Sequence, residues 1–513
     1  MKKILAILLA SLLLLSLLPA AVAESTEEPV VIKAMWESAR PQNAYTDEVH
    51  DYILKTLNID LQLTCVSENF TQQLALAIAS GDIPDLILME YRTYVEYAKE
   101  GLFADLTGLV DNYPELMEYV NTGDQGEVCW NRMKVDGAIY GVPTRSVNTT
   151  MLTTAIRQDW LDNLNLQVPT TIDELTEVLR AFTEDDPDQN GLNDTYGLST
   201  YGMHNIYSMS YLSTIFGAFG ATPGQEYLLN DDGTVTTNVI SDEYKAAVSY
   251  LHDIYAAGYM DPEVFTNSNS QAYEKFATGK MGFWPCWWSN PGSVYVKYGF
   301  LDNCPTGKIT LMDPIVGPDG KSGLIGTDPI WRVLGITSSC QNVEKVLELI
   351  NWQCTPYGWY TCQCGVEGNY FEMDADGNVT WYWGMDGKNK NGDDISDMEL
   401  YKFIENLDLQ SRLYKLDESN YGQYRAAGLE SCMNAKVYQN LFNGIITDEY
   451  TKLNSELESY MDNNITKFIM GELDLSKDWD NFVSTYLSMG GEQVRTSLLN
   501  AYNEANGTSY TFR

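Results

Sequence analysis

The sequence predicts a mixed α/β protein of two or more domains, with a mostly parallel sheet and a largely helical C-terminal portion. Near its start, strand-like and helix-like segments alternate, which is the pattern of a parallel sheet with helices on its faces. The chain has 513 residues, more than one ordinary hydrophobic core holds. From about residue 400 onward the apolar residues recur mainly at helical spacing.

Side-chain periodicity supports each of these first elements. Segments 30–36, 59–66 and 85–89 are rich in β-branched and apolar residues and predict strands. Segments 43–57 and 69–80 place apolar residues at helical spacing and predict the two intervening helices. Sheets of this kind bind ligands at the carboxyl ends of their strands, so those ends are the first candidate sites.

Polar and aromatic side chains that directly follow predicted strands are therefore candidate ligand contacts. These residues are Trp36, Glu37, Glu90, Tyr91, Arg92 and the isolated Trp331. We expect them to donate and accept hydrogen bonds or to stack against a bound molecule.

Residues 1–23 predict a secretory signal peptide. Two lysines precede an apolar run over 4–18, and small residues lead to a cleavage site after Ala23. The alternative, an uncleaved membrane anchor, is disfavoured because the run is short for a bilayer span. The first cysteine is Cys65, so we expect a secreted, periplasmic or surface-associated protein without a lipid-anchor cysteine.

The charge of the chain limits its partners. The formal net charge is −39, which repels nucleic acid and anionic membranes at long range and argues weakly against a polyanionic ligand. We expect a monomer that has no nucleic-acid partner. The nine cysteines favour buried or unpaired thiols, with one disulfide or a metal-binding Cys362–Cys364 pair as alternatives.

The stretch DPDQNGLND over 186–194 has the spacing of a calcium-binding loop. Oxygen-bearing residues alternate along it, and a glycine permits a tight bend. The predicted ligands are the side chains of Asp186, Asp188, Asn190 and Asp194 and the carbonyl of Leu192. Gly197 stands where a bidentate glutamate would complete an EF-hand loop. A solvated acidic turn is the alternative; we expect structural calcium.

A tryptophan-rich segment over 276–290 predicts a sugar-stacking surface. It holds Trp284, Trp287 and Trp288 within five residues. Aromatic faces stack on the C–H faces of sugar rings, and indole N–H groups donate hydrogen bonds at the edge. The alternative is core packing, which three such neighbours cannot easily all satisfy from one element.

Signals for catalysis are weak. His50, His204 and His252 lack metal-ligand spacing, and the sequence contains no nucleophile elbow, zinc-protease or phosphate-loop motif. Pairs of carboxylates are uninformative in so acidic a chain. We therefore expect a binding protein rather than an enzyme.

Several stretches together resemble family 1 extracellular solute-binding proteins of carbohydrate importers, especially the branch with alginate-binding and lipoprotein-like members. They occur in the family's order: ASGDIPDLIL (79–88), GLFADLTGLVDNYP (101–114), AIYGVP (138–143), RQDWLDNLNLQVPTTIDEL (157–175), DPDQNGLNDTYGL (186–198), FATGKMGFW (276–284) and GVEGNY (365–370).

This resemblance implies a type II periplasmic-binding-protein-like fold of two α/β lobes joined by hinge crossings. We expect one lobe from 24–150 plus about 331–370, and the other from about 151–330 plus 371–513. The crossings are expected near 145–155, 325–335 and 365–380.

The resemblance also implies the function. A sugar would bind in the cleft, the lobes would close, and the loaded protein would dock on the membrane subunits of an ABC importer. The family's calcium loop carries over onto 186–194, with Thr195 where the family often has glutamate. We expect capture of an oligosaccharide; the alternatives are a secreted carbohydrate-active enzyme and a peptide-binding member of the class.

Overall fold

The computed structural model describes residues 28–38, 42, 44–123, 125–146, 150–203, 208–382 and 398–513. The predicted signal peptide and His204 lie outside these residues. Within the described part, no helix is both long enough and apolar enough to cross a bilayer.

The described strands are short, and half of them belong to two main sheets: β1 (Val30–Glu37), β2 (Ile59–Val66), β3 (Leu86–Met89), β4 (Lys134–Val135), β5 (Ala138–Ile139), β6 (Val142–Arg145), β7 (Leu152–Arg157), β8 (Tyr196–Leu198), β9 (Tyr227–Leu229), β10 (Thr234–Thr237), β11 (Met281–Trp287), β12 (Ile309–Leu311), β13 (Leu324–Ile325), β14 (Ile330–Ile336), β15 (Phe371–Met373), β16 (Val379–Trp381), β17 (Val437–Tyr438) and β18 (Thr511–Phe512).

The described α-helices cover the sheets and form most of the C-terminal portion: α1 (Ala44–Leu57), α2 (Phe70–Ser80), α3 (Tyr91–Lys99), α4 (Pro114–Asn121), α5 (Gly126–Arg132), α6 (Gln158–Leu164), α7 (Ile172–Glu184), α8 (Ser213–Ala218), α9 (Asp242–Ala256), α10 (Asn269–Ala277), α11 (Asn290–Lys297), α12 (Phe300–Asn303), α13 (Val343–Cys354), α14 (Pro356–Cys364), α15 (Leu407–Leu416), α16 (Asn420–Asn434), α17 (Asp448–Met470), α18 (Trp479–Tyr486) and α19 (Glu492–Asn506).

Short helical turns complete the secondary structure. They are the 3₁₀ turns Val110–Asn112, Ser208–Leu212, Asn238–Ile240 and Met398–Tyr401, and the π-helical segment Leu487–Gly491.

The first sheet has the strand order β2-β1-β3-β14-β6. Strand β1 pairs in parallel with both β2 and β3, as the alternating pattern at the start of the sequence predicts. Strand β14 returns antiparallel beside β3, and β6 pairs antiparallel with β14. The predicted β-α-β-α-β order is confirmed, and α2 ends at Gly81, whose φ of 80° is readily available to glycine.

The second sheet has the order β12-β7-β11-β8. Strand β11 lies between β7, which is antiparallel to it, and β8, which is parallel. Helix α7 packs on this sheet and begins with the predicted capping box, in which Thr171 and Glu174 satisfy each other's backbone N–H groups.

Two separate hydrophobic cores accompany the two sheets, and this confirms the two-lobed α/β fold class. The first core contains Ile32, Leu88 and Val333, and continues to Leu413 on α15. The second contains Phe182, Phe283 and Phe468 and so joins α7 to the C-terminal helices.

The chain changes lobe between the end of β6 at Arg145 and the start of β7 at Leu152, and again at 326–329, since β6 and β14 belong to one sheet and β7 to the other. A further passage follows α15, because α15 packs in the first core whereas α16 contacts α11, β7 and β12. The hairpin of β15 and β16 carries Phe371 into the first core. Residues 371–373 and 398–413 thus pack with the first lobe, whereas the sequence-based division assigned 371–513 to the second.

We predict that Gly282→Ala destabilises the second lobe. A Cβ atom at Gly282 would lie 2.1 Å from Phe182 Cδ2 and 2.7 Å from Trp160 Cε3, so both rings must shift. We expect a loss of about 1–3 kcal/mol in the free energy of unfolding, measured by urea denaturation. Glu274→Ala, on the exposed face of α10, is the control; equal midpoints for both variants would contradict this account.

Candidate functional site

The carboxyl ends of the first sheet face the passages between the lobes. Strands β1 and β3 run in parallel and end at Glu37 and Met89, and β14 begins at the same edge with Ile330. In the second sheet, β7 begins at Leu152 directly opposite the end of β11 at Trp287. The strand ends of both sheets therefore meet at one cleft, crossed by the chain between Arg145 and Leu152 and again at 326–329.

A cavity of about 220 Å³ lies at this cleft. It takes side chains from both passages and from the second lobe, so it joins parts of the chain that are far apart in sequence. Its lining consists of Thr150, Met151, Leu152, Ser210, Gly224, Glu226, Trp287, Ile325 and Thr327. One aromatic face, one carboxylate and several hydroxyl groups make this lining suited to a polar ring compound.

Of the three clustered tryptophans, the structure brings Trp287 to this cavity. Trp287 is the last residue of β11 and is half-buried. Trp284 has no exposed surface and packs against Phe276, with ring centroids 4.8 Å apart. Trp288 is 5% exposed and belongs to a small aromatic cluster beside the cavity. Core packing therefore accounts for Trp284 and for most of the surface of Trp288, whereas Trp287 is only half-buried, at the cavity.

Glu226 is the cavity residue that the sequence analysis missed. Its carboxylate accepts a hydrogen bond of 2.6 Å from Thr222 Oγ1. Burial raises the pKa of this carboxyl. The sequence offers no signal for it, because Glu226 is one of 71 acidic residues and stands in no motif.

The predicted contacts of the first lobe fall into two groups. Trp36 is 3% exposed and packs edge-on against Phe403, so its ring is part of the core. Trp331, in contrast, is 43% exposed, and its ring lies 5.4 Å from the guanidinium carbon of Arg332. Arg332 also pairs with Glu37 at 3.3 Å. The structure thus brings Glu37 and Trp331 together at the cleft.

The other three predicted contacts surround the start of α3. Glu90 and Arg92 are exposed, and Arg92 pairs with Glu96 of the same helix at 3.3 Å. Tyr91 is half-buried under Arg132, whose guanidinium carbon lies 4.1 Å from the ring centroid. Burial raises the pKa of Tyr91.

Arg132 ties the first lobe to a passage between the lobes. Its Nη1 donates to Asp328 Oδ1 at 2.6 Å, and Asp328 Oδ1 also accepts from Ile330 N at 2.9 Å. Across the two passages, Ser146 donates its backbone N–H to Pro329 O at 3.1 Å and its hydroxyl to Asp328 O. These bonds hold the two passages between the lobes against each other. Arg132 and Asp328 carry no sequence motif, because their pairing spans 196 positions.

The predicted calcium loop folds as a compact turn after α7. Asn190 Nδ2 donates to Asp188 Oδ2 at 2.9 Å and to Asp194 Oδ1 at 3.3 Å. Asp186 accepts from the backbone N–H of Asn190 and Gly191 at 3.1 and 3.0 Å. Burial is the main cause that raises the pKa of Asp188.

The neighbours of this loop define its present charge balance. Lys280 Nζ contacts Asp194 Oδ2 and supplies one positive charge. Thr195 is buried and donates to Phe182 O at 2.7 Å, so it serves the fold rather than the loop. Leu192 is 60% exposed. Among the described residues, no three histidine, cysteine or acidic side chains are already gathered as a metal site.

The structure also settles the cysteines. None of the nine, all of which are described, forms a disulfide, and Cys362 and Cys364 are fully buried in α14. Burial is the main cause that raises the pKa of both thiols, which makes them poor metal ligands and poor nucleophiles. The favoured interpretation of unpaired thiols therefore agrees with the structure.

A larger cavity, of about 550 Å³, lies away from the cleft at the outer edge of the first sheet. It is lined by polar side chains of β1, β2 and α1, among them Lys33, His50 and Gln62. His50 pairs there with Asp60 at 3.0 Å. The described residues that line this open, polar groove include no tryptophan, whereas Trp287 lines the cavity at the cleft.

Comparisons with known proteins agree with this geometry. The sequence profile of the family described as bacterial extracellular solute-binding protein matches residues 55–356, more than half of the chain. The polygalacturonan/rhamnogalacturonan-binding protein YtcQ of Bacillus subtilis is 25% identical over 476 residues, which cover 88% of this chain and 87% of YtcQ.

Solved structures share the fold. An HMO binding ABC-transporter associated solute binding protein from Bifidobacterium longum infantis superimposes with a TM-score of 0.71 at 18% identity, covering 93% of this chain and 99% of that one. Alginate-binding protein AlgQ2, in a structure without calcium ion, gives a TM-score of 0.70 at 20% identity, covering 94% and 100%.

We predict that alanine separates the roles of Trp284 and Trp287. Trp284→Ala empties a fully buried site and should cost about 3–5 kcal/mol in the free energy of unfolding. Trp287→Ala removes a half-buried ring at a cavity wall and should cost clearly less. Denaturant midpoints of both variants check this; a larger loss for Trp287→Ala would show that its ring is a core element.

Proposed function

Because the chain belongs to the bacterial extracellular solute-binding protein family, we propose that it captures an oligosaccharide between its lobes and delivers it to the membrane subunits of an ABC importer. The observation that carries this proposal is the cavity at the passages between the lobes, with Trp287 on one wall and Glu226 on another. The names of its relatives, which refer to polygalacturonan and rhamnogalacturonan, to alginate and to an ABC transporter, support it.

The chemistry of the cavity suits a sugar. The face of Trp287 would stack on the C–H face of a pyranose or furanose ring, which excludes water from an apolar surface. Glu226 would accept hydrogen bonds from two neighbouring hydroxyl groups, while Thr150 and Thr327 can donate or accept at the rim. Glu37, Trp331 and residues 90–92 would contact the ligand from the first lobe.

Binding would be coupled to movement of the lobes. The ligand would touch Trp287 on one lobe and Trp331 on the other, so its contacts are completed only when the lobes approach. Closure would remove water from both sets of contacts and so favour the closed state. The importer would then distinguish the loaded from the empty protein by lobe arrangement.

Binding rather than catalysis is the activity that we propose. A glycosidase of the usual type needs two carboxyl groups that flank the scissile bond at about 5–10 Å. Glu226 is the one carboxylate among the described residues that line the cavity. Export through the segment 1–23 would place the protein outside the membrane, where an importer requires it.

We also propose that 186–194 binds one structural calcium ion. Asn190 bonds to both Asp188 and Asp194, and Asp186 accepts from the backbone of the same loop, so the loop offers oxygen ligands of the kind that calcium prefers, although they are not yet gathered around one point. Binding would require Asn190 to turn its oxygen toward the ion and Lys280 to release Asp194. The ion would neutralise the mutual repulsion of the aspartates, and it would act on the fold of the second lobe rather than on the ligand.

The sugar proposal predicts stabilisation by ligand. At a concentration 100 times its dissociation constant, a bound oligosaccharide should add about 2.7 kcal/mol to the free energy of unfolding. A thermal-shift screen of neutral and acidic oligosaccharides would find it. Failure of every oligosaccharide, together with a shift by peptides, would contradict the proposal.

The same ligand then tests the cavity. Trp287→Ala should weaken its binding about tenfold in calorimetry, since one stacking surface is lost. Trp352→Ala is a matched control, because Trp352 is half-buried on α13 and stacks on Tyr52 away from the cleft. Equal binding by both variants would place the stacking surface elsewhere, with Trp331 as the next candidate.

The calcium proposal predicts that a chelator lowers the melting temperature of the native protein. Asp188→Ala should remove this sensitivity, because it deletes a central ligand. Asp374→Ala, in the turn between β15 and β16, is the control and should keep the sensitivity. If the native protein melts at the same temperature with and without calcium, the loop is a solvated acidic turn.

A further inference from the structure

Beside the cavity lies an arginine held among aromatic rings, which we call the Arg425 cluster; it consists of Arg425, Trp288, Tyr414 and Tyr421. The guanidinium carbon of Arg425 lies 4.6 Å from the ring centroid of Tyr421, 5.0 Å from that of Tyr414 and 5.5 Å from that of Trp288. Its Nη1 donates to Tyr414 Oη at 2.6 Å.

The cluster adjoins one wall of the cavity, although none of its four residues belongs to the lining. Trp288 and Tyr414 form a small core to which Met151 and Trp287 are packed, and both of these residues also line the cavity. Tyr414 lies in the last turn of α15, and Arg425 lies on α16. The cluster therefore joins the two ends of the passage that follows α15. A ligand that stacks on Trp287 would therefore extend toward Arg425.

Arg425 differs from the other cleft arginines in its partners. Arg132 pairs with Asp328 at 2.6 Å, and Arg332 pairs with Glu37 at 3.3 Å. Within the described part of the chain, no carboxylate forms an ion pair with Arg425. Glu399, whose charge acts on Arg425, lies instead 3.7 Å from the buried Lys402.

Unused hydrogen-bond donors surround the same place. Arg425 Nε and Trp288 Nε1 are buried and have no acceptor among the described residues, and neither has Nδ2 of the adjacent Asn290. Burying a cation and donors without acceptors is costly, and the cost falls when an anion arrives with free lone pairs. The cluster also holds one buried acceptor without a donor, Asp417 Oδ2, in the turn between α15 and α16.

We propose that Arg425 binds a carboxylate of the captured sugar, so that the substrate class is an acidic, uronate-containing oligosaccharide. A uronate carboxylate can accept from the guanidinium and from the indole N–H of Trp288, while its ring stacks on a cluster aromatic. This inference rests on the proposed sugar-binding function and adds the charge of the ligand. The strongly negative net charge opposes such a ligand at long range, but the buried cation acts at contact distance, where screening is weak.

Matched trisaccharides test this proposal. Trigalacturonate and trimannuronate are each compared by calorimetry with their neutral counterparts, galactotriose and mannotriose of the same linkage. We expect one uronate trimer to bind at least roughly thirtyfold more tightly than its neutral counterpart. Its preference over the neutral trimer should persist as the NaCl concentration rises, because salt screens a buried contact only weakly.

Variants assign the effect to the residue. Arg425→Met should remove most of the preference for the acidic trimer, and Arg425→Lys should keep part of it because the charge remains. Arg412→Gln is the control, since Arg412 is exposed on α15 and pairs with Asp408 at 2.6 Å. If Arg425→Met does not fold, the comparison of Arg425→Lys with the native protein on the acidic and neutral trimers still decides.

The outcomes separate this inference from the proposed function. If neutral oligosaccharides bind and neither uronate trimer does, or if Arg425→Met weakens both members of a pair equally, the inference is overturned and sugar capture stands. If Trp287→Ala and Arg425→Met each weaken uronate binding, both are supported. If no saccharide of either kind binds, sugar capture fails and this inference fails with it.

Discussion

The fold of this protein depends on hydrogen bonds that join the two passages between its lobes. Ser146 of one passage bonds to Asp328 and Pro329 of the other, and Arg132 anchors Asp328 to the first lobe. These contacts align the carboxyl edge of the first sheet with the start of β7 and the end of β11. Without that alignment Trp287 and Glu226 would lie on a lobe surface rather than in a shared cavity.

Strand alternation explains why neighbouring tryptophans have different roles. Successive residues of β11 point to opposite faces of the sheet. Phe283 therefore enters the core of the second lobe, and Trp284 enters a smaller hydrophobic cluster with Phe276. Trp287, at the end of the strand, is half-buried at the cavity, and Trp288 already lies beyond the ladder in the aromatic cluster. A short stretch of sequence can thus contribute residues to a hydrophobic core, to a cavity wall and to an aromatic cluster. The number of tryptophans does not tell which residue has which role.

Local patterns predicted the local structure well. The alternation at the start of the chain gave β1, α1, β2, α2 and β3 in their observed order, and the capping box at Thr171 begins α7 as expected. Which core a C-terminal hydrophobic residue joins was harder to predict, because nothing in the local pattern around Phe371 or Leu413 distinguishes the two cores. Only their tertiary packing places Leu413 with the first sheet.

Local sequence patterns also identified only part of the candidate site. The cluster of tryptophans made Trp287 a candidate. Glu226 and Arg425 stand in no motif, and only their contacts with residues distant in sequence make them candidates. Arg425 meets Trp288 across 137 positions of chain, and only the placed side chains show that no described carboxylate forms an ion pair with it.

Charge placement connects the acidic surface to the cleft. With 71 acidic and 32 basic residues, most cations of this chain can find a carboxylate within reach, as Arg132 and Arg332 do. Arg425, which forms no ion pair with any described carboxylate, is held instead by its ring contacts and by its hydrogen bond to Tyr414. In an acidic protein, therefore, a desolvated cation without an ion pair is a more specific sign of an anionic ligand than the same residue would be in a basic one.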